Sequence, residues 1–165
     1  KVGCSVDDVI INIQGDEPFI HKTQIEALCK CFDDASTQIA TLAMPVTDSK
    51  IVFNPNSPKV VIDNNGFAMY FSRSPIPYNR EWNDDDNQEC NVHNKHIGVY
   101  AYRFNVLREI TRLPMSSLEK TEKLEQLRWL QNGYKIKVGL TDMETIGIDT
   151  PEDLKKAEEY LKLKV

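Results

Sequence analysis

An α/β domain built on a mixed, largely parallel sheet with one small antiparallel hairpin is the fold class this sequence predicts. Two observations point there. Short β-branched runs alternate with segments of helical periodicity along the 165 residues. An Asn-Gly pair, Asn65-Gly66, sits between two strand-like runs, as a tight hairpin requires. The chain is long enough for one domain with a substantial core, and it shows no internal repeat or linker.

The elements follow in order. Residues 9–14 (VIINIQ) read as a strand, apolar at nearly every position except Asn12, as in a strand covered on both faces. Residues 23–32 carry Ile25, Leu28 and Phe32 at helical spacing. Residues 39–46 read as a strand, and Pro55 and Pro58 bracket a loop. Residues 59–62 and 67–72 are the two arms of the hairpin. The "RSPIPYNR" that follows cannot stay in a ladder, because Pro75 and Pro77 have no N–H to give. Residues 81–94 are polar and acidic and predict a surface loop. Residues 96–103 resume as a strand, with His96, Tyr100 and Tyr102 on one side. Asn105 is placed to cap a short helix to Thr111. Ser116 or Ser117 caps a longer helix that runs to Gly133. Residues 136–140 and 144–148 are strand-like, and Thr150-Pro151 opens a last helix.

Composition narrows the function. The content is 41% hydrophobic and 27% charged, ordinary for a globular protein. No apolar run approaches the roughly 20 residues of a membrane span. The net charge of -5 disfavours a nucleic-acid partner. Cys4, Cys29, Cys31 and Cys90 form no C-x-x-C pair, and reduced thiols in a cytoplasmic protein are the expectation. Cys90, His93 and His96 have metal-like spacing but lack a clear fourth ligand. The first residue is Lys1, which suggests a start inside a longer gene product or a trimmed one.

Several residues could carry chemistry. In open α/β sheets, ligands gather beyond the carboxyl ends of strands. There stands Gln14-Gly15-Asp16-Glu17-Pro18, with adjacent carboxylates that either cap a turn or face a hard cation such as magnesium. Asp149 ends a second strand-like run beside a helix start, so Asp16 and Asp149 could share one ion. Arg73, at the exit of the hairpin, suits a carboxylate or phosphate, or is a plain surface residue. His96, Tyr100 and Tyr102 form either a sugar-binding wall or a packed face. Glu125 lies off the Leu124, Leu127 and Leu130 stripe but four residues before Trp129, with Gln126 beside it.

Five blocks then occur in order: "NIQGDEPFI", "YFSRSPIPYNR", "KHIGVYAYR", "LEQLRWLQNGYKIKV" and "GIDTPEDL". Together they resemble the 3-deoxy-manno-octulosonate (Kdo) cytidylyltransferases, also called CMP-Kdo synthetases, across about residues 9–161. The resemblance implies a nucleotide-diphospho-sugar-transferase-like fold with a smaller dimerisation sheet. It implies one cytidylyltransferase domain over residues 1–165, in which 59–103 hold the hairpin used for dimer contact and sugar binding. The implied reaction joins CTP and Kdo into CMP-Kdo and pyrophosphate for lipopolysaccharide synthesis, with Mg2+ as cofactor and a homodimer as the assembly. Asp16 and Asp149 match the metal-binding aspartates. Gln14, Arg73, His96, Tyr100, Glu125 and Gln126 match positions around the sugar, and Arg73 with the two aspartates is assigned to catalysis. The alternatives are a cytidylyltransferase for another acidic 2-keto sugar, or a non-catalytic sugar-binding or dimerisation module. The family's first βα section, with its basic phosphate-binding loop, has no counterpart here. The 165-residue chain is therefore expected to be inactive alone, although the full gene product is expected to be an enzyme.

Overall fold

The structure, a computed structural model, describes residues 3–13, 15, 19–80, 93–143 and 155. Gln14, Asp16 and Asp149 lie outside those residues, as do most of the acidic segment and the expected strand and helix after Met143.

Six strands form one mixed sheet in the order β4-β3-β5-β2-β6, with β1 also paired to β5. They are β1 (Val9–Asn12), β2 (Ile39–Val46), β3 (Lys59–Ile62), β4 (Ala68–Ser72), β5 (His93–Arg103) and β6 (Ile136–Leu140). Among the described residues β2 and β6 are the parallel pair. The pairs β1–β5, β2–β5, β3–β4 and β3–β5 are antiparallel. The mixed α/β architecture matches the expected fold class, with the long β5 as its spine, but among the described residues the pairing is mostly antiparallel rather than largely parallel, because β5 takes β1, β2 and β3 all in the antiparallel sense. β5 begins at His93, three positions before the sequence reading placed it, because Val46 and Pro45 extend the ladder to His93 and Asn94. β1 is half-buried rather than fully covered: among the described residues it has a partner on β5 only.

The helices are α1 (Lys22–Lys30), α2 (Ser49–Val52), α3 (Phe104–Ile110), α4 (Ser117–Glu122) and α5 (Gln126–Gln131). His21 caps α1. Its N–H donates to Gln24 Oε1 at 2.9 Å, and its ring Nδ1 accepts from the Thr23 N–H at 3.4 Å. Such a reciprocal box satisfies donors that the first turn leaves free. After Lys30 the helix tightens into a 3-10 turn, Cys31–Asp33. Gln24 and Leu28, not Ile25, are the fully buried residues of α1. Gln24 goes inside because its Nε2 donates to the Met143 carbonyl at 3.1 Å. α3 starts one residue before Asn105, with Arg103 at the cap and no side-chain cap bond.

The expected single helix to Gly133 is two helices. α4 carries the Ser116–Glu119 capping box, then stops at Lys123, which is left-handed (φ 54°). α5 restarts at Gln126. Helical periodicity continues across this break, so a pattern of apolar residues could not show it.

Two clusters hold the molecule. One joins β2, β4, β5 and β6 to α3 and α5 through Ile39, Phe71, Tyr100, Tyr102, Leu127, Trp129 and Ile136. The other seats Leu28 and Cys31 against Leu42, Ile97 and Ala101. Gly139 permits this second contact. A Cβ there would stand 2.9 Å from Leu42 Cδ2 and 3.2 Å from Cys31 Sγ. The hairpin turn needs Gly66 (φ 81°), and its tip folds back on β6. The Val138 N–H donates to the Gly66 carbonyl at 2.9 Å. Lys137 Nζ lies 4.4 Å from the Phe67 ring centre, donates to the Asn65 carbonyl at 2.7 Å and pairs with Asp34 at 3.1 Å. No described helix is long and apolar enough to cross a membrane.

Candidate functional site

The carboxyl end of β1 meets the middle of β5, and α3 and α5 close over the junction. Asn12 pairs with Tyr100, and Ile10 with Tyr102. Between these elements is a cavity of about 340 Å³ lined by Ile11, Asn12, Tyr102, Thr111, Glu125 and Trp129, among others. A larger hollow of about 560 Å³ lies between α1 and the ends of β2 and β6. It is lined by none of the candidate site residues singled out from the sequence, whereas the smaller one is lined by Tyr102 and Glu125, so the smaller cavity is the better candidate site.

His96, Tyr100 and Tyr102 do share one face of β5. Their rings run in a row, 5.4 Å from His96 to Tyr100 and 6.0 Å from Tyr100 to Tyr102. Trp129 stands edge-on to both tyrosines, at 5.2 and 5.6 Å. Phe71 meets His96 edge-on at 5.0 Å. All five rings are buried. The sequence left open whether this was a packed face or a binding wall. It is packed, and Tyr102 and Trp129 also line the cavity.

The polar atoms of this row are set by burial. His96 is neutral, its pKa held down to about 3 by desolvation. Its Nε2 lies 3.0 Å from Thr41 Oγ1, which is also 2.8 Å from the Val99 carbonyl and 3.2 Å from that of Ile97. A hydroxyl has one proton, and the carbonyls claim it. His96 therefore donates from Nε2 to the Thr41 oxygen, which fixes the tautomer. The two carbonyls converge on Thr41 because the β2–β5 register shifts between Thr41 and Leu42, looping out Gly98 and Val99. The Tyr100 hydroxyl is buried and makes no hydrogen bond of good geometry, although the Thr41 hydroxyl stands beside it. Burial, then the Tyr102 ring, pushes the Tyr100 pKa far up. Burial, with Glu125 nearby, does the same for Tyr102, whose hydroxyl the Asn12 side chain reaches. Both phenols stay protonated at neutral pH and can donate.

Glu125 and Gln126 stand at the start of α5. The Glu125 side chain is 63% exposed and is paired with Arg128, which also lies 3.3 Å from Glu119. Gln126 is buried. Arg73 is close in space to this region through the break before α5. Its Nε donates to the Glu122 carbonyl at 2.7 Å, Nη2 to that of Lys123 at 3.3 Å, and Nη1 to that of Pro55 at 2.9 Å. Three of its five N–H groups are thus spent on the backbone. Of the residues singled out from the sequence, the structure groups His96 and Tyr100 in one row and places Glu125 at the cavity beside them. Sequence reasoning did not include Asn12 and Thr111 in the site. Asn12 did leave a signal, as the polar position in an otherwise apolar strand. Among the described residues no cluster of His, Cys, Asp or Glu could hold a metal, and Cys90 lies outside them.

The cavity offers one phenol, Tyr102, the Asn12 amide and the Glu125 carboxylate beside the Trp129 ring, a set suited to a polyhydroxylated ligand. Comparison with known proteins gives the family. A model of the cytidylyltransferase family matches residues 2–136. The chain is 60% identical over 165 residues to a 3-deoxy-manno-octulosonate cytidylyltransferase of Bacteroides thetaiotaomicron, covering 98% of this chain and 66% of that protein. It is 60% identical over 158 residues to the protein of the same description from Parabacteroides distasonis, covering 93% and 63%. A solved CMP:2-keto-3-deoxy-manno-octonic acid synthetase complexed with CTP superimposes with a TM-score of 0.83 at 37% identity, over 96% of this chain and 63% of that one. The chain thus spans just under two thirds of the length of these relatives. With a family model matched over most of its residues and the same sheet superimposed, the chain belongs to the cytidylyltransferase family.

Proposed function

We propose that the protein carrying this chain transfers CMP from CTP to 3-deoxy-D-manno-octulosonate, releasing pyrophosphate. The observation that carries this reading is the identity of 60% to a Kdo cytidylyltransferase along 98% of the chain. In the reaction the anomeric hydroxyl of the sugar attacks the α-phosphorus of CTP. A new P–O bond forms to the sugar, the bond to the β-phosphate bridge breaks, and the hydroxyl proton passes to solvent. Catalysis of this kind is largely positioning and charge stabilisation. Tyr100 and Tyr102 would donate hydrogen bonds to sugar oxygens, and Glu125 would accept from sugar hydroxyls. Gln14, Arg73, His96 and Gln126 complete the proposed sugar surroundings, His96 from behind by fixing the ring row against Thr41.

Asp16 and Asp149 are proposed to hold Mg2+ and, with Arg73, to serve catalysis. Both aspartates lie outside the described residues, and the fit rests on their chemistry, since carboxylate oxygens are the donors that a hard divalent ion takes. When bound, the ion would screen the phosphate oxygens. A cytoplasmic homodimer is the proposed assembly, with the β3–β4 hairpin at its contact. The test is pyrophosphate release by the gene product given CTP, Mg2+ and Kdo, beside other acidic 2-keto sugars. Turnover fastest with Kdo is expected. No turnover with Kdo, or faster turnover of another sugar, would overturn the assignment.

A further inference from the structure

The end of β4 and the break between α4 and α5 grip each other from both sides. The Glu122 carboxylate accepts from the Ser72 hydroxyl at 2.6 Å and from the Arg73 N–H at 3.0 Å. In return the Arg73 guanidinium donates to the carbonyls of Glu122 and Lys123. Beneath them Lys59 is fully buried, and its Nζ donates to the carbonyls of Arg73 at 2.7 Å and Asn54 at 2.9 Å. Lys123 is left-handed although it is not glycine, and among the described residues no other non-glycine has a positive φ. A side chain in that region is strained, so neighbouring bonds must hold it there. Two residues later the chain delivers Glu125 to the cavity.

We propose that Glu122 is a positioning residue for the acid-sugar site: through Ser72 and Arg73 it holds the left-handed break at Lys123, and the break sets where Glu125 stands. The role at the sugar rests on the cytidylyltransferase reading above, whereas the hold on the break does not. A helix that ran on from α4 would carry Glu125 round by the rotation that Lys123 now absorbs, about 100° per residue for an α-helix. The Arg73 side chain, proposed to face the sugar, is also the other half of the clamp: three of its five N–H groups go to backbone carbonyls and two are left for a ligand.

The test uses Glu122→Ala, alone and combined with Lys123→Gly, in the gene product that carries this chain. Without substrate, hydrogen exchange at the amides of residues 124–128 should quicken about tenfold in Glu122→Ala, while amides of β2 and β5 keep their rates. With substrates, the KM for Kdo should rise about tenfold and the KM for CTP should stay within twofold, as for loss of one contact to a charged group. Adding Lys123→Gly should recover most of both effects, because glycine takes the left-handed conformation unstrained. If Glu122 served only packing elsewhere, easing the strain at Lys123 would not return the exchange rates at 124–128 or the KM for Kdo. Unchanged exchange at 124–128, faster exchange everywhere, or KM values rising together would overturn the clamp. Absence of turnover in the unsubstituted protein would overturn the sugar role along with the reaction, and the exchange arm would still decide whether Glu122 holds the break.

Discussion

At residue scale, two buried side chains are held in one protonation state. His96 carries no charge when folded, with a pKa near 3 against the ordinary 6.5. Between those values the unfolded chain binds a proton that the folded chain refuses. Its contribution is therefore intact above pH 6.5 and is lost as pH falls toward 3. His96→Gln removes this dependence. Urea midpoints measured from pH 7 to pH 4 should fall less steeply in the variant than in the parent. Tyr100 presents a different case. Its hydroxyl has no internal partner, so Tyr100→Phe should cost no stability, or should gain about 1 kcal/mol, because an unpaired buried group is costly. In the proposed sugar site, the same variant should raise the KM for Kdo about tenfold without lowering its melting temperature.

At the scale of elements, what could be read from sequence divides along a physical line. β2 and β6 were legible to the residue because burial is written into their composition, and the hairpin was legible because Asn65-Gly66 stands between two strand-like runs, whereas Asn132-Gly133 follows a helical one. The break at Lys123 was not legible, since its causes, Ser72 and Arg73, lie about fifty residues away in the chain. The start of β5 was hidden for a like reason: His93 and Asn94 look polar and loop-like, and only pairing with β2 makes them strand. In the site, the parity of His96, Tyr100 and Tyr102 was plain. That the Asn12 side chain, opposite Tyr100 in the ladder, would reach the Tyr102 hydroxyl needed the β1–β5 register. The seat of α1 on the sheet gives a test at this scale. Gly139→Ala pushes a methyl group into Leu42 and Cys31 and should cost about 1–3 kcal/mol in urea unfolding, as overpacking does.

Across the whole molecule, the hairpin is tied to the far strand of the sheet. Lys137 joins Asp34, the Asn65 carbonyl and the Phe67 ring, so three separate segments meet on one ammonium group. The Ser36 hydrogen bonds, with Lys137, hold the Asp34 carboxyl down to about 2. Lys137→Met should keep the packing of the aliphatic stem while losing the charge. Amides of residues 63–68 should then exchange several-fold faster, and the core of β5 should be unchanged. The candidate site lies away from this tie, so its cavity should survive the substitution.

The looped-out pair Gly98-Val99 has one more effect, on assembly of the sheet itself. Because two carbonyls and an imidazole all converge on Thr41, β2 has one alignment in which they are satisfied. Sliding it by a single position would offer them the methyl of Ala40 or the isobutyl group of Leu42, neither of which can bond. A lone hydroxyl thus singles out one ladder among pairings that the greasy neighbours alone would tolerate.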